Sequence, residues 1–216
     1  MPKRALVEHR PLLLAGVIAA FAHYFLSDNP IGGIWLILLK GAGVGSLAIY
    51  ALRRAPGLDG FIVAAALAIS ALADMALELW FEVGGGLFAL SHCVAIALYL
   101  RNRRENPSFS QNLLGLTLLI AVPALSYLLS NNPLIAVYSV TLGAMAAAAW
   151  TSRFPRYRVG IGAILFVISD WLIFSRMGPY DLGQLPDLAI WPLYFAGQLM
   201  IATGVVQTLR GEEPVP

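Results

Sequence analysis

The sequence predicts an all-α protein: a polytopic membrane bundle of about eight transmembrane helices, with both termini in the cytoplasm. Three observations predict it. Hydrophobic residues make up 59% of the 216 positions and charged ones only 12%, with a mean hydropathy of +0.75. That composition excludes an ordinary soluble domain and every disordered class. Apolar runs follow one another with short polar breaks, and the basic residues crowd into alternate breaks.

The runs fall near 11 to 26, 33 to 52, 60 to 81, 85 to 100, 112 to 129, 133 to 151, 158 to 175 and 188 to 208. Helices of ~20 residues cross the hydrocarbon core, and shorter ones thin the bilayer or let flanking residues snorkel. The first run follows basic residues and carries a small-x-small Ala20-Phe21-Ala22, as a signal peptide does. It is expected to be retained, because its removal would unpair the loop charges. Glycines and alanines fill GAGVGSLAIYAL in the second run and TLGAMAAAAW in the sixth, which lets helix backbones approach closely. Pro123 is expected to kink the fifth. Cys93, within the fourth, is a single cysteine that has no disulfide partner in the chain and reads as packing. Trp35, Trp80, Trp150 and Trp191 fall near run ends, where such rings form interfacial belts.

The breaks carry turn chemistry at Ser27-Asp28-Asn29-Pro30, Arg54-Ala55-Pro56-Gly57, Gly84-Gly85-Gly86, Asn131-Asn132-Pro133 and Phe154-Pro155. The longest break on its face, Ser175 to Asp187, reads either as a pocket cover or as a plain connector. With loops taken in alternation, one side holds Lys3, Arg4, Arg10, Arg53, Arg54, Arg101, Arg103, Arg104, Arg153, Arg156, Arg158 and Arg210, and the other holds Arg176. Lys and Arg in short loops prefer the cytoplasm, so the first side is cytoplasmic. The formal net charge of +2 then reports orientation and a weak pull toward anionic lipid heads, not a nucleic-acid surface. One bundle fills residues 1 to 216 as a single transmembrane domain.

Two aspartates stand inside apolar runs: Asp74 in SALADMALEL and Asp170 in LFVISDWLIF. A carboxyl at membrane depth is costly and is by default a functional candidate. By helix rise, Asp74 lies ~10 Å below the end of its run and Asp170 about 9 Å. Lys40, His92 and Tyr194 reach ~9 to 10 Å by the same arithmetic. Ser169 is adjacent to Asp170, Gln198 lies one turn deeper than Tyr194, and Glu78 one turn shallower than Asp74. The common level is in the membrane half away from the cytoplasm.

Each residue also has a plainer reading. The aspartates and Lys40 suit structural ion pairing, His92 a hydrogen-bonded packing role, and Glu78 solvation near the surface. Tyr138, Tyr194 and Gln198 are ordinary interhelical bonding choices. His23, near an interface, carries no role. His9, His23 and His92 lie on different segments without metal-ligand spacing, and no P-loop or dinucleotide glycine pattern follows a strand, so no metal or cofactor is expected. Ser91 beside His92 and Ser169 beside Asp170 are neighbours in sequence, which points them to different helix faces and away from a nucleophile–base pair.

The chain resembles the YhhN-like lysoplasmalogenase family of multi-pass membrane proteins over nearly its whole length. Leu165 to Asp170, LFVISD, is close to the family's LFxxSD element, and Gly162-Ala163 precedes it as a Gly-small pair. Ser70-x-x-x-Asp74 corresponds to S-x-x-G-D; Lys40, Phe88-x-x-x-His92, Tyr138-Ser139 with Met145, and Tyr194 with Gln198 match in order and spacing. The chain departs from the pattern at Ala73, in place of glycine, at Gly41, where proline is frequent, and in having no tyrosine soon after His92. These departures bear on pocket shape and substrate preference.

The resemblance implies hydrolysis of the vinyl-ether bond of lysoplasmalogens, releasing a fatty aldehyde and a glycerophospho-alcohol. The residues fit that chemistry. Protonating the β-carbon creates an oxocarbenium ion that water attacks, which calls for an acid and an anion, and paired carboxyls supply both when their environments differ. Asp74 and Asp170 are thus the expected catalytic pair, with either in either role. Lys40, His92, Tyr138, Ser169, Tyr194, Gln198 and Glu78 are the expected contacts to the lysophospholipid. Lys40 would hold the phosphate or keep one aspartate ionised. His92, Tyr194 and Gln198 would position water and the glycerol part. Access is expected laterally from the non-cytoplasmic leaflet, and the location a bacterial cytoplasmic membrane. Two other classes use the same residues: a proton-coupled transporter and a non-catalytic lipid-binding protein. The inner halves of the runs offer few titratable groups to continue a proton relay, and Ala73 keeps the non-catalytic reading open.

Overall fold

The computed structural model describes residues 10–27 and 33–211 and, among them, is helical with no strand. Lys3, Arg4, His9 and the turn residues Asp28, Asn29 and Pro30 lie outside the described residues, as does the Arg10 side chain. The helices are α1 (Arg10–Leu26), α2 (Ile34–Arg54), α3 (Gly57–Leu77), α4 (Phe81–Arg101), α5 (Phe109–Ser130), α6 (Pro133–Thr151), α7 (Ile161–Ser175, entered through a wide π turn at Arg156–Gly160) and α8 (Leu185–Gly211). Seven are long and apolar enough to cross a membrane, α7 with its π turn included, and α1 is a shorter apolar helix. The sequence reading placed a run on every one of them.

The surface is apolar, as a bilayer requires. On α5 alone, Leu113, Leu116, Ile120 and Leu128 are exposed by 53 to 61%. Water would penalise such a face, whereas lipid tails do not. Without a hydrophobic drive between helices, association rests on close packing and buried hydrogen bonds.

The chain falls into two compact units, Met1–Val94 with Ala202–Pro216, and Ala95–Ile201. In the first unit, α2 packs between α1 and α3 through its glycines. A Cβ on Gly16 of α1 would meet the Gly43 carbonyl oxygen at 2.9 Å, and one on Gly41 would meet Met75 of α3 at 2.6 Å. The stripe GAGVGSLAIYAL is therefore a packing face on two sides. Gly57 opens α3 with φ +67, a left-handed conformation that glycine adopts without steric cost. On α4, Gly84 lies against Leu77, while the Ser91 hydroxyl donates to the Ala66 carbonyl at 2.8 Å and shares a 2.8 Å bond with Ser70.

In the second unit, α5 begins at a capping box, Ser108 with Gln111, and ends at Asn131 in the left-handed region (φ 50). Asn132 then caps α6, with Pro133 at its first position. The α5–α6 contact runs through Gly143, whose Cβ would meet the Leu118 carbonyl at 2.9 Å and Val122 at 3.1 Å. Pro123 is accommodated inside a continuous α5. A second pair of glycines joins α7 to α8: a Cβ on Gly162 would lie 2.7 Å from the Gly197 carbonyl oxygen, and one on Gly197 would lie 2.6 Å from that of Gly162.

At the basic end of this unit the two loops pair as a minimal antiparallel bridge, Arg103 with Ser152. The Arg153 amide donates to the Asn102 carbonyl at 2.8 Å, the Arg104 amide donates to that of Thr151 at 3.2 Å, and Arg153 Nε donates to Asn102 Oδ1 at 2.7 Å. Phe154 is fully buried beneath the strap, edge-on to Tyr99. At the other end, the connector 176–184 is held by an ion pair between Arg176 and Asp187. The Gly183 amide also donates to Asp181 Oδ1 at 2.8 Å.

Two expectations need correction. Trp35 and Trp80 are exposed at helix ends, as belt residues are, but Trp191 is only 9% exposed and packs on Tyr194 and Phe195. The reason is length. α8 starts at Leu185, so Trp191 sits almost two turns inside it rather than at its edge. Trp150 likewise lies over Gly160 at the π turn. Cys93 is exposed on α4 and so is not a packing residue.

Candidate functional site

The first unit gathers one group of the expected residues. Asp74 and His92 are each 2% exposed, and Ser70, one turn before Asp74 on α3, is equally buried. The i, i+4 spacing puts Ser70, Asp74 and Glu78 along one side of α3. Ser70 is fixed by Ser91, whose own proton goes to the Ala66 carbonyl, so this pair locks α4 against α3 and holds the rotation that presents His92. Phe88 stacks one turn away on His92, with centroids 6.4 Å apart. Lys40 of α2 forms an ion pair with Glu78 at the C-cap of α3. Its side chain is 15% exposed and that of Glu78 40%, so the pair sits at the rim and Glu78 is not merely solvated.

The second unit gathers the rest. Asp170 is 6% exposed on α7, and its Oδ2 accepts a 2.7 Å hydrogen bond from the Tyr138 hydroxyl of α6. Phe174, one turn along α7, meets the Tyr138 ring edge-on at 5.9 Å and fixes its direction. A hydrogen bond to a carboxylate in low-dielectric surroundings is among the stronger neutral-donor bonds, which makes Tyr138 the built-in partner of this aspartate. The Ser169 hydroxyl donates to the Ile190 carbonyl at 2.9 Å, so its proton is committed to the backbone of α8. Tyr194 is 5% exposed and Gln198 4%; Gln198 Nε2 donates to the Tyr194 hydroxyl at 3.4 Å, and Phe166 meets the Tyr194 ring edge-on at 5.0 Å.

Sequence reasoning missed two features. Trp191 and Phe195 complete an aromatic wall with Tyr194 and Phe166. Ser126 of α5 and Ser139 of α6 are both fully buried with no hydrogen-bond partner for their hydroxyls among the described residues. The Gly143–Val122 contact fixes the hairpin register, and that register sets the two serines level with one another next to Tyr138. Serines in apolar helices are common enough that only this register singles them out. Among the described residues, no three of His, Cys, Asp and Glu come together as a metal cluster.

Asp170 with its fixed phenol partner, and Asp74 buried one turn from Ser70, make two polar stations inside apolar helices, one in each unit. The chain is 31% identical over 153 residues to a protein named lysoplasmalogenase in Mycobacterium bovis and, at the same identity and length, to one of that name in Mycobacterium tuberculosis. Each match covers 64% of this chain and 58% of the relative, so the chain spans little more than half the length of these relatives. No solved structure matches it. The family model matches residues 35–205, from the start of α2 to within two turns of the end of α8 and across every residue of both stations. The chain is an integral membrane protein of the YhhN family.

Proposed function

We propose that the protein is a membrane-embedded hydrolase of lysoplasmalogens, cleaving the vinyl ether by aspartate acid–base chemistry. The observation that carries the reading is the Tyr138–Asp170 pair: a carboxyl 6% exposed in a spanning helix, held at 2.7 Å by a phenol. A purely structural role would be met more cheaply by apolar packing. The names of the mycobacterial relatives supply the substrate class.

In the proposed reaction a carboxylic acid gives its proton to the β-carbon of the vinyl ether. The double-bond electrons form the new C–H bond, and the cation is shared between the α-carbon and the ether oxygen. A carboxylate steadies that cation and takes a proton from the attacking water. The hemiacetal then collapses to a fatty aldehyde and the free glycerophospho-alcohol. Asp74 and Asp170 hold the two carboxyl roles. Tyr138 positions the Asp170 carboxyl; Lys40, His92, Tyr194 and Gln198 contact the polar part of the lipid.

The test is aldehyde release from a lysoplasmalogen by purified protein, beside an acyl lysophospholipid control. Aldehyde from the vinyl-ether lipid and none from the control is the expected result; no aldehyde from folded wild type rejects the reading. Tyr138→Phe keeps the ring against Phe174 but removes the donor to Asp170. We expect about a tenfold fall in kcat with little change in KM, the size of one charge-assisted hydrogen bond. An unchanged kcat would show that the phenol does not position the acid.

A further inference from the structure

Within the second unit, α5 buries a single stripe, Gln111, Gly115, Leu118, Val122, Ser126 and Ser130, whose spacings of three and four put it on one helix face. Two contacts fix the register of that stripe on α6. A Cβ on Gly115 would lie 3.0 Å from Thr151 Cγ2, and one on Gly143 would lie 3.1 Å from Val122 Cβ. In an antiparallel hairpin the next turn, four residues on from Val122 and four back from Gly143, brings Ser126 level with Ser139. The residue before Ser139 is Tyr138, which reaches across to α7 and donates to Asp170. A polar layer thus runs from Ser126 through Ser139 and Tyr138 to Asp170, on three helices that all pack on one another.

A serine or threonine inside a helix commonly gives its proton to a carbonyl of the preceding turn. Ser130, Thr151 and Ser175 do so here, at 2.7, 2.9 and 2.8 Å. Ser126 and Ser139 do not. Both are 0% exposed, and their hydroxyls bond neither the preceding turn, nor each other, nor any other group among the described residues. Buried hydroxyls in native proteins are nearly always satisfied, by protein or by ordered water. Water is the ligand that suits two facing hydroxyls, since each can donate or accept and a buried water takes about two to four polar partners. The proposed hydrolysis needs such a site as well. Lipid tails and apolar helices keep bulk water from a carboxyl as deep as Asp170, so the attacking water must be held inside the bundle.

We infer that Ser126 and Ser139 bind a water molecule between α5 and α6, and that this site supplies the water consumed beside Asp170, a role that rests on the proposed hydrolysis. The water can be read without turnover, by X-ray hydroxyl-radical labelling of the full-length protein in detergent, in which radicals formed from a bound water oxidise the side chains around it. Val122 and Leu142 lie one turn from the serines and are 0% exposed; Val44 and Leu47, also 0% exposed, are the controls in the first unit. Val122 and Leu142 should be oxidised severalfold more than the controls, and Ser126→Ala or Ser139→Ala should remove the excess. Alanine favours the helix and deletes only the hydroxyl. Oxidation at the control level, or an excess that persists in both alanine variants, overturns the site. The second measurement is aldehyde release. Each alanine variant should lower kcat about tenfold and leave KM near the wild-type value, as expected when a hydrogen bond that positions a reactant is lost. Loss of the labelling with unchanged kcat overturns the supply role. If wild type releases no aldehyde, the supply role falls with the hydrolase reading, and the labelling alone decides the water site.

Discussion

Asp170→Asn and Asp74→Asn should each slow aldehyde release by about 10²–10⁴-fold, the range typical of a lost general acid or base. Asparagine keeps the volume and, at Asp170, keeps an oxygen for the Tyr138 hydroxyl, so packing against α6 survives while proton transfer does not. The double variant is the sharper measurement. Residues that serve one reaction as a unit are non-additive, so the double variant should be no slower than the worse single one. If the losses multiply, the two carboxyls act in separate steps or on separate molecules. If both singles retain activity near the wild-type level in a well-folded protein, carboxyl chemistry is not the mechanism. At Asp170 asparagine still accepts from the Tyr138 hydroxyl, so stability of that variant should hold, which separates loss of chemistry from loss of fold.

Gly162→Val should have the largest effect on stability. A Cβ there would lie 2.7 Å from the Gly197 carbonyl oxygen and 3.1 Å from both Ile201 Cγ1 and Met200 Cβ. The first obstacle is backbone, which cannot rotate aside, so α7 and α8 must separate. Overpacking of this kind costs about 1–3 kcal/mol before any contact is lost. Separation would also break the Ser169–Ile190 bond and the Phe166–Tyr194 contact on the same interface. We expect a loss of about 3 kcal/mol or more in denaturant unfolding from micelles, at the upper end of that range. Gly86→Ala is the control. A Cβ there meets nothing within 4 Å, and alanine favours a helix by up to ~1 kcal/mol over glycine. Equal stability of the two variants would mean that the Gly162–Gly197 approach does not hold α7 to α8.

The helices and the polar residues of both stations were legible because the bilayer makes them so. Apolar runs of spanning length have few readings, and Asp74 and Asp170 stand out because hydrocarbon makes ionised groups expensive. Small-residue stripes announced close packing, and Gly41, Gly43 and Gly143 lie in the tight contacts. What depends on helix rotation was not legible. Lys40 was open to either aspartate as a partner, and only the facing of α2 and α3 gives it Glu78. Trp191 reads as an interfacial ring until the start of α8 is known. Level serines on neighbouring helices, Ser126 and Ser139, need the hairpin register, which a Gly143–Val122 contact sets and sequence spacing does not. The bridge between Arg103 and Ser152 is made by backbone groups and leaves no side-chain signature at all.

That bridge bears on how the chain meets proteases. Arg101, Arg103, Arg104, Arg153, Arg156 and Arg158 crowd one end of the second unit and offer trypsin a dense set of cleavable bonds. Cleavage requires several residues around the bond to open into an extended, unpaired conformation. The amides of Arg104 and Arg153 are tied to the opposite loop, and Phe154 is pinned in the core below. Arginine content therefore overstates susceptibility here: the loops meant to be the chain's weakest links to a digesting enzyme brace one another shut.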